Sequence, residues 1–324
     1  MSKPEFFITD VFTDRRYGGN PLATFIDCES LSDAEMQQIA REINFSETTF
    51  ITSLEPRNGG YDVRIFTPRA EVDFAGHPAL GTAHVIRNKL LAVRPELVEG
   101  LDGFSSSSVH GSTSSPRADE GRLPDEIMLN LRIGPIPVTF TATPAGEPVL
   151  WMKQMSPQFG KQLDAATLAD VLNLTMPDIE QGLPIEEVST GFPTLIVPLK
   201  NLDALKRVKI DKEKYFALVS DAWARIILVF SREAYEAGQA LSVRMFADYY
   251  GVPEDPATGS SNGCLAAYLA QHRVFGSTEF DLLAGQGYEI GRPSTLALRT
   301  RQAAESIEVF IGGGVVDVAR GIWG

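Results

Sequence analysis

Two segments of this chain share one hydropathy pattern: a short alternating strand, a loop, and then an apolar run opened by glycine. In the first, Val63-Arg64-Ile65-Phe66 alternates, and Gly76-His77-Pro78-Ala79-Leu80-Gly81-Thr82-Ala83 leads into His84-Val85-Ile86. In the second, Val243-Arg244-Met245-Phe246 mirrors that strand, and Gly259-Ser260-Ser261-Asn262-Gly263 opens Cys264-Leu265-Ala266-Ala267-Tyr268-Leu269. Period-two alternation predicts half-buried strands, and the unbroken apolar runs predict buried helices. Pro253 and Pro256 are expected to stop any regular element between them, whereas Pro78 suits the first turn of a helix. Thr258, Ser260 or Ser261 is expected to cap the second helix. Two copies about half a chain apart are too few for a solenoid, so they predict a duplication. The expectation is two similar lobes facing one another, with a helix N-terminus from each aimed at one cleft. Such a helix start presents bare N–H groups to an anion, and Asp255 adds a carboxylate at the same mouth.

Elsewhere the pattern is mostly strand. Phe6 to Phe12 and Leu22 to Ile26 form a predicted hairpin around the turn Arg15 to Pro21. Ser32 and Glu35 give a capping-box start to a helix whose apolar face is Ile39, Ala40 and Ile43. Thr48 to Ile51 is the next strand, which leaves Glu47 at a helix–strand junction among apolar neighbours. Further strands are predicted at 127–131, 136–141, 149–152, 195–199, 226–230, 279–283, 295–300, 307–311 and 315–318, with helices near 164–172 and 211–221. Gly312-Gly313-Gly314 reads as a hairpin or bulge. Ala92 to Asp125 is serine-rich with no apolar period and reads as a surface insertion. Strands with one long buried helix per lobe make the class α+β rather than doubly wound α/β.

A chain of 324 residues with 44% hydrophobic content can bury a substantial core. The formal charge of -13 argues against nucleic acid or an anionic membrane surface as partner. No apolar stretch approaches the roughly 20 residues of a membrane span, and the first residues have no signal-peptide core. Two cysteines, Cys28 and Cys264, make no disulfide scaffold. The expectation is a cytoplasmic protein.

The candidate chemistry is carboxylate and imidazole. In a desolvated cleft the pKa of Glu47 would rise into the working range of a general acid–base. His77 follows Gly76 directly at a helix mouth, while His84 and His272 read as ordinary helix residues and His110 falls in the insertion. The histidines, Glu71 and Asp73 complete no zinc set, so no metal is expected. Gly76 to Thr82 has the glycine spacing of a phosphate loop but lacks its lysine. Gly259-Ser260-Ser261-Asn262-Gly263 matches the serine-hydrolase elbow, yet a proline-broken loop replaces the strand that should feed it.

Asn20-Pro21-Leu22-Ala23, Ser46-Glu47-Thr48-Thr49-Phe50, Arg64-Ile65-Phe66-Thr67-Pro68, Phe74-Ala75-Gly76-His77-Pro78 with Gly81-Thr82-Ala83, and Asp255-Pro256-Ala257-Thr258-Gly259-Ser260 occur in this order. Together with Gln286-Gly287 and Gly291-Arg292-Pro293-Ser294, these blocks resemble the PhzF isomerase family of phenazine biosynthesis. The blocks span nearly the whole chain apart from 92–125. The resemblance implies a diaminopimelate-epimerase-like fold: two pseudo-symmetric lobes, each a curved, mostly antiparallel sheet around a central helix, with the site between them. The lobes are expected at 1–134 plus about 302–324, and at 135–301. It also implies a cofactor-free isomerase that moves a proton on a small cyclic carboxylate such as a dihydro-hydroxyanthranilate, and a homodimer. By resemblance the acid–base falls on Glu47 with His77, Asp255 and Ser260 in support, and Asn20, Gly76, Thr258 and Gly259 are expected to contact the substrate.

Two other readings stand beside it. Epimerases of this fold place a cysteine just before the glycine of each helix mouth; those positions here are Ala75 and Thr258, so a two-thiol mechanism has no thiols, though a one-base epimerase using Glu47 is open. A non-catalytic metabolite- or partner-binding protein of the same fold is the other, against which Glu47, His77, Asp255 and Ser260 together count.

Overall fold

The computed structural model describes residues 3–92, 123–143, 146–303 and 306–324. The expected insertion at 92–125, with His110, lies outside the described residues except at its ends.

The first half of the chain runs β1 (Glu5–Val11), β2 (Asn20–Ile26), α1 (Asp33–Ile43), β3 (Thr48–Ile51), β4 (Tyr61–Phe66), β5 (Glu71–Val72), α2 (Gly76–Val85), β6 (Glu126–Leu131), β7 (Gly134–Ala142) and β8 (Pro148–Lys153). The second runs β9 (Gln158–Leu163), α3 (Ala165–Val171), β10 (Ile185–Ser189), β11 (Thr194–Pro198), α4 (Leu202–Arg207), α5 (Lys212–Val219), β12 (Ile226–Ser231), β13 (Leu241–Ala247) and β14 (Val252–Asp255). It continues with α6 (Gly259–Gln271), β15 (Phe280–Gln286), β16 (Ser294–Ala303), β17 (Ser306–Gly313) and β18 (Val315–Ile322).

The strand pairing carries the duplication. β8 meets β17 with Met152 opposite Ile311. Outward from that seam, one direction reads β7, β6, β4, β3, β2, β1, β18, with parallel steps at β6/β4 and β3/β2. The other reads β16, β15, β13, β12, β11, β10, β9, with parallel steps at β15/β13 and β12/β11. The order of antiparallel and parallel neighbours is the same in both. β5 and β14 hang from β4 and β13 in the same way. The fold is α+β, with two pseudo-symmetric lobes of the diaminopimelate-epimerase-like kind, each a mostly antiparallel sheet around one helix.

Side chains repeat as well as strands. Arg64 of β4 makes a two-pronged bond to Glu71 at 2.8 Å on each prong, and Arg244 of β13 does the same to Glu254 at 2.9 and 2.8 Å. Each guanidinium also lies over the phenylalanine two residues on, Phe66 at 5.1 Å and Phe246 at 4.9 Å. The Val-Arg-x-Phe pattern therefore encodes a device that ties the central strand of each lobe to the short strand leading to its helix.

Both central helices are buried. α2 packs on β1, β2, β6, β7, β8 and β18, and α6 on β10, β11, β12, β16 and β17. Every residue of α2 is buried, so this helix keeps no polar face for solvent. A Cβ on Gly81 would come within 2.5 Å of Leu22, so glycine there sets how closely α2 lies on β2. α1 begins with the expected capping box between Ser32 and Glu35 and buries Met36, Ile39 and Ala40. Among the described residues no helix is long and apolar enough to cross a membrane.

Three expectations are corrected. Residues 252–255 form a strand despite Pro253, because β14 is a short edge partner of β13 and a missing N–H is tolerated at an edge. Gly312-Gly313-Gly314 is a crossover: β17 pairs with β16 and β8, whereas β18 pairs with β1. Phe12 lies outside its strand, with φ of 67°, and its N–H donates to Gly314 O at 2.8 Å.

Candidate active site

The two helix N-termini meet. A Cβ on Gly76 would stand 3.5 Å from both Gly259 Cα and Ser260 N, which is ordinary contact distance. The residues preceding the helices, Ala75 and Thr258, are extended, and neither caps its helix with a side chain. The expected cap of α6 is thus not made. The Thr258 hydroxyl donates to Asp255 Oδ2 instead, and Ser261 Oγ is paired with Thr194 Oγ1 at 3.0 Å. Two uncapped helix starts, aligned on one spot, concentrate partial positive charge and N–H donors there. Ser260 sits half-buried at this mouth.

Glu47 is delivered by a helix stop and a strand start. α1 ends at Asn44, which takes a left-handed conformation (φ 55°), and β3 begins at Thr48, paired with Ala23 and Phe66. The Glu47 side chain keeps 19% of its surface exposed, but Oε2 is buried without a hydrogen-bond partner, 3.4 Å from His77 Nε2. His77 Nε2 is buried and unpaired too. Burial, and then the neighbouring charge of Asp255, push Glu47 up to about 8. Burial lowers His77 to about 3. At neutral pH the contact is therefore between a carboxyl and a neutral imidazole, not an ion pair.

Asp255 is surrounded by donors. Asn20 Nδ2 reaches its Oδ1 at 3.0 Å, and the Thr258 hydroxyl and the Ala257 backbone also donate. Burial outweighs them and raises the carboxyl to about 6. The structure thus brings Glu47, His77 and Asp255 together, with Asn20, Thr258, Gly76, Gly259 and Ser260 around them.

Several residues with no role read from the sequence complete the frame. Gln286 is fully buried, and its amide donates to Asp255 O at 2.9 Å and to Thr258 Oγ1 at 3.2 Å. Arg292 donates to Gly19 O at 2.9 Å, Gly18 O at 2.7 Å and Asp10 Oδ1 at 2.6 Å, clamping the loop that carries Asn20. Gln286 and Arg292 lie in motifs visible in the sequence; Asp10 carried no signal. The remaining candidates lie elsewhere. His84 pairs with Asp317 at 3.1 Å and His272 with Glu186 at 2.7 Å. Cys264 is buried beside Thr190 and Phe192 O, and burial raises its thiol; Cys28 is pushed up to about 12. Among the described residues no cluster of three or more His, Cys, Asp or Glu side chains is placed to hold a metal.

A family model described as phenazine biosynthesis-like protein matches residues 9–100 and 112–321. The chain belongs to this family. It is 35% identical to the trans-2,3-dihydro-3-hydroxyanthranilate isomerase of Pseudomonas fluorescens, with 98% of each chain covered. A PhzF-family protein of Bacillus anthracis superposes with a TM-score of 0.81 at 28% identity, covering 99% of this chain and 98% of the other. A probable proline racemase of Agrobacterium radiobacter K84 shares the fold, with a TM-score of 0.54 at 10% identity over 99% of this chain and 93% of its own. The chain is an isomerase of the PhzF-like family.

Proposed function

We propose that this isomerase moves a proton on a small cyclic carboxylate such as a dihydro-hydroxyanthranilate, with Glu47 as the single acid–base group. The observation that carries this reading is the Glu47 Oε2 atom, buried and unpaired beside the two opposed helix N-termini. A buried carboxyl oxygen left without a partner is costly unless a ligand uses it. The substrate carboxylate would sit at the N–H groups opened by Gly76, Gly259 and Ser260, where two helix dipoles favour an anion. That placement presents an acidic C–H of the ring to Glu47. The ionised carboxyl takes the proton from one carbon, the electron pair spreads over the conjugated system, and the same carboxyl returns the proton at another carbon. No proton is gained or lost overall. Neutral His77, its Nε2 3.4 Å from Glu47 Oε2, does not compete for the carboxyl's proton, since its own pKa is far lower.

General acid–base catalysis supplies roughly 10²–10⁴-fold, so charge stabilisation of the delocalised anion by the helix ends carries part of the remainder. The geometry gives no thiol pair to a racemase mechanism: Ala75 and Thr258 stand where thiols would be needed, and Cys264 is sealed in the core.

The test is solvent deuterium incorporation into dihydro-hydroxyanthranilate and a panel of cyclic amino acids by wild type and Glu47→Gln. The expected result is exchange on one compound by wild type and none by the variant. Equal exchange by both would remove Glu47 from the mechanism; no exchange by wild type would remove the tested compounds as substrates.

A further inference from the structure

The strand registers match the two lobes residue by residue, and the polar half of the site has an apolar counterpart. Phe66 and Phe246 stand two residues after the equivalent arginines. Thr48 lies opposite Phe66 and Ala23, and Ile227 lies opposite Phe246 and Leu195. Counting along the strands, Phe192 is the equivalent of Asn20, and Ile226 of Glu47. Val72 faces Ile65 as Asp255 faces Met245, so Val72 is the equivalent of Asp255. Asn20 and Phe192 share a backbone frame: each follows a glycine of positive φ, Gly19 at 60° and Gly191 at 129°, and each precedes a proline, which favours extended backbone. The Asn20–Asp255 bridge is therefore matched across the cleft by a phenylalanine and a valine. Ser260, the equivalent of His77, is the one polar member of this second set.

The turn that carries Phe192 is fixed on the start of α6. Thr194 Oγ1 pairs with Ser261 Oγ at 3.0 Å, and Cys264 Sγ donates to Phe192 O at 3.4 Å. A Cβ on Gly263 would come within 2.8 Å of Thr190 Oγ1, so glycine there lets the turn lie close to the helix. The Phe192 ring is nevertheless 39% exposed, although its backbone is held beside the helix mouth. It lies 5.3 Å from the ring of Tyr250, itself 43% exposed. The next residue, Gly251, has the Arg69 guanidinium of the other lobe against it: a Cβ there would stand 2.6 Å from Arg69 Nη2. The aromatic pair thus lines the side of the cleft opposite Asn20 and ends at the contact between lobes.

We propose that Phe192 is a specificity-determining residue of the isomerase, its ring packing on the ring of the substrate and selecting cyclic, unsaturated carboxylates over open-chain ones. The inference rests on the carboxylate binding at the paired helix ends. From there a substrate ring has the polar set on one side and the Phe192 set on the other. Offset or edge contacts between two flat unsaturated rings add to what apolar burial alone provides, whereas a flexible chain gains only the burial and loses rotamer freedom. An exposed aromatic pair beside a binding cleft is the kind of apolar surface that a ligand covers.

The experiment measures binding, not turnover, on the full chain. Titration calorimetry follows benzoate, a planar cyclic carboxylate, and heptanoate, the open-chain acid of equal carbon count, with thermal unfolding as the check on folding. The proteins are wild type, Phe192→Ala, Phe192→Leu and Phe192→Tyr. Wild type is expected to bind benzoate more tightly than heptanoate. Phe192→Ala should weaken benzoate about tenfold, the scale of one aromatic pair, and heptanoate much less. Phe192→Tyr, which keeps the ring, should retain the preference. Phe192→Leu, which keeps the apolar bulk without the ring, should lose it, and decides in the same way if Phe192→Ala does not fold. Benzoate affinity unchanged in either folded variant, or an equal loss for both acids, overturns the proposal. So does a wild type that does not prefer benzoate. A Glu47→Gln enzyme that still exchanged deuterium would sink the acid–base reading and leave the benzoate preference standing. Loss of exchange in Glu47→Gln, with benzoate binding indifferent to Phe192, would sink this inference alone.

Discussion

Asn20 Nδ2 bridges Asp255 Oδ1 at 3.0 Å and Ala257 O at 2.9 Å, joining the start of β2 in one lobe to the strand end that feeds α6 in the other. Both residues are buried, and no water can replace a lost partner cheaply. Asn20→Ala is expected to destabilise the protein by about 1–3 kcal/mol, the cost of a buried polar group left unpaired. The same variant removes a hydrogen bond that lowers the Asp255 pKa, so Asp255 should titrate above its present value of about 6. Denaturant unfolding reads the first effect and a pH–rate profile the second. A variant as stable as wild type would mean that the bridge does not hold the lobes in register.

The raised pKa of Glu47 makes a prediction about stability with a definite sign. Its ordinary value is 4.5 and its folded value about 8, so between these limits the unfolded chain has lost the proton and the folded chain retains it. The unfolded state then binds fewer protons, and stability falls as pH rises through this window. Glu47→Gln cannot ionise and should remove that fall. The variant is expected to match wild type near pH 4.5 and to exceed it in stability at pH 8 and above. Unfolding free energies of the two proteins across this range check the claim. A parallel pH dependence in both would show that Glu47 is not buried as described.

Activity should show the opposite trend. If Glu47 must be ionised to take the substrate proton, kcat/KM rises with pH and levels off above about 8 in the free enzyme. His77, lowered to about 3, contributes no limb in the accessible range. A profile that is flat from pH 6 to 9 would exclude a base with this pKa.

Gly76 separates space from stability. A Cβ there would meet Gly259, Ser260 and Met152 at 3.5–3.6 Å, all ordinary contacts, so Gly76→Ala should fold with little change in stability. The methyl group, however, fills the gap between the two helix starts where the substrate carboxylate is proposed to bind. The expected outcome is a KM raised at least tenfold, about 1.4 kcal/mol, with an unchanged melting temperature. An unaltered KM would move the carboxylate site away from the paired helix ends.

How much of this was legible in the sequence depends on what kind of signal each element carries. The duplication was visible because Arg64 and Arg244 sit in identical surroundings, between apolar residues whose alternation reports a strand. Glu47 and the helix mouths were visible as well, since a carboxylate at a helix–strand junction and a glycine before an apolar run both break the local pattern. β10 was not: Glu186 and Glu187 lie inside it, and two adjacent glutamates argue against a buried strand. Both are buried because each has partners from distant segments, His272 Nε2 at 2.7 Å for Glu186 and Ala224 N at 2.9 Å for Glu187. The cap of α6 was misassigned for a local reason. A threonine before a helix has a strong capping preference, but the carboxylate three residues back in the same loop, Asp255, takes its hydroxyl instead. Crossing points such as Gly314 carry no period at all, because their partners are set by the assembled sheet.

Asp10 and Arg292 form the most deeply placed ion pair between the lobes, and together they carry the last prediction. The Asp10 side chain is 3% exposed and that of Arg292 26%. Asp10 has one other donor, Tyr17 N at 2.6 Å, so removing the guanidinium strands a buried carboxylate. Arg292→Met is therefore expected to cost about 3 kcal/mol, at the lower end for a broken buried pair because the guanidinium is partly solvated. The loss should not be confined to stability. The same guanidinium holds Gly18 and Gly19 through their carbonyls, directly before Asn20, so the Asn20–Asp255 bridge loosens with it. In the double variant Asp10→Asn, Arg292→Met the stranded charge is gone. Its stability should recover by more than 1 kcal/mol over Arg292→Met, while the loop that carries Asn20 stays unclamped and turnover stays low. Additive single-variant costs in the cycle would show the pair to be uncoupled. Full recovery of turnover in the double variant would show that the carbonyl contacts of Arg292 do not position Asn20.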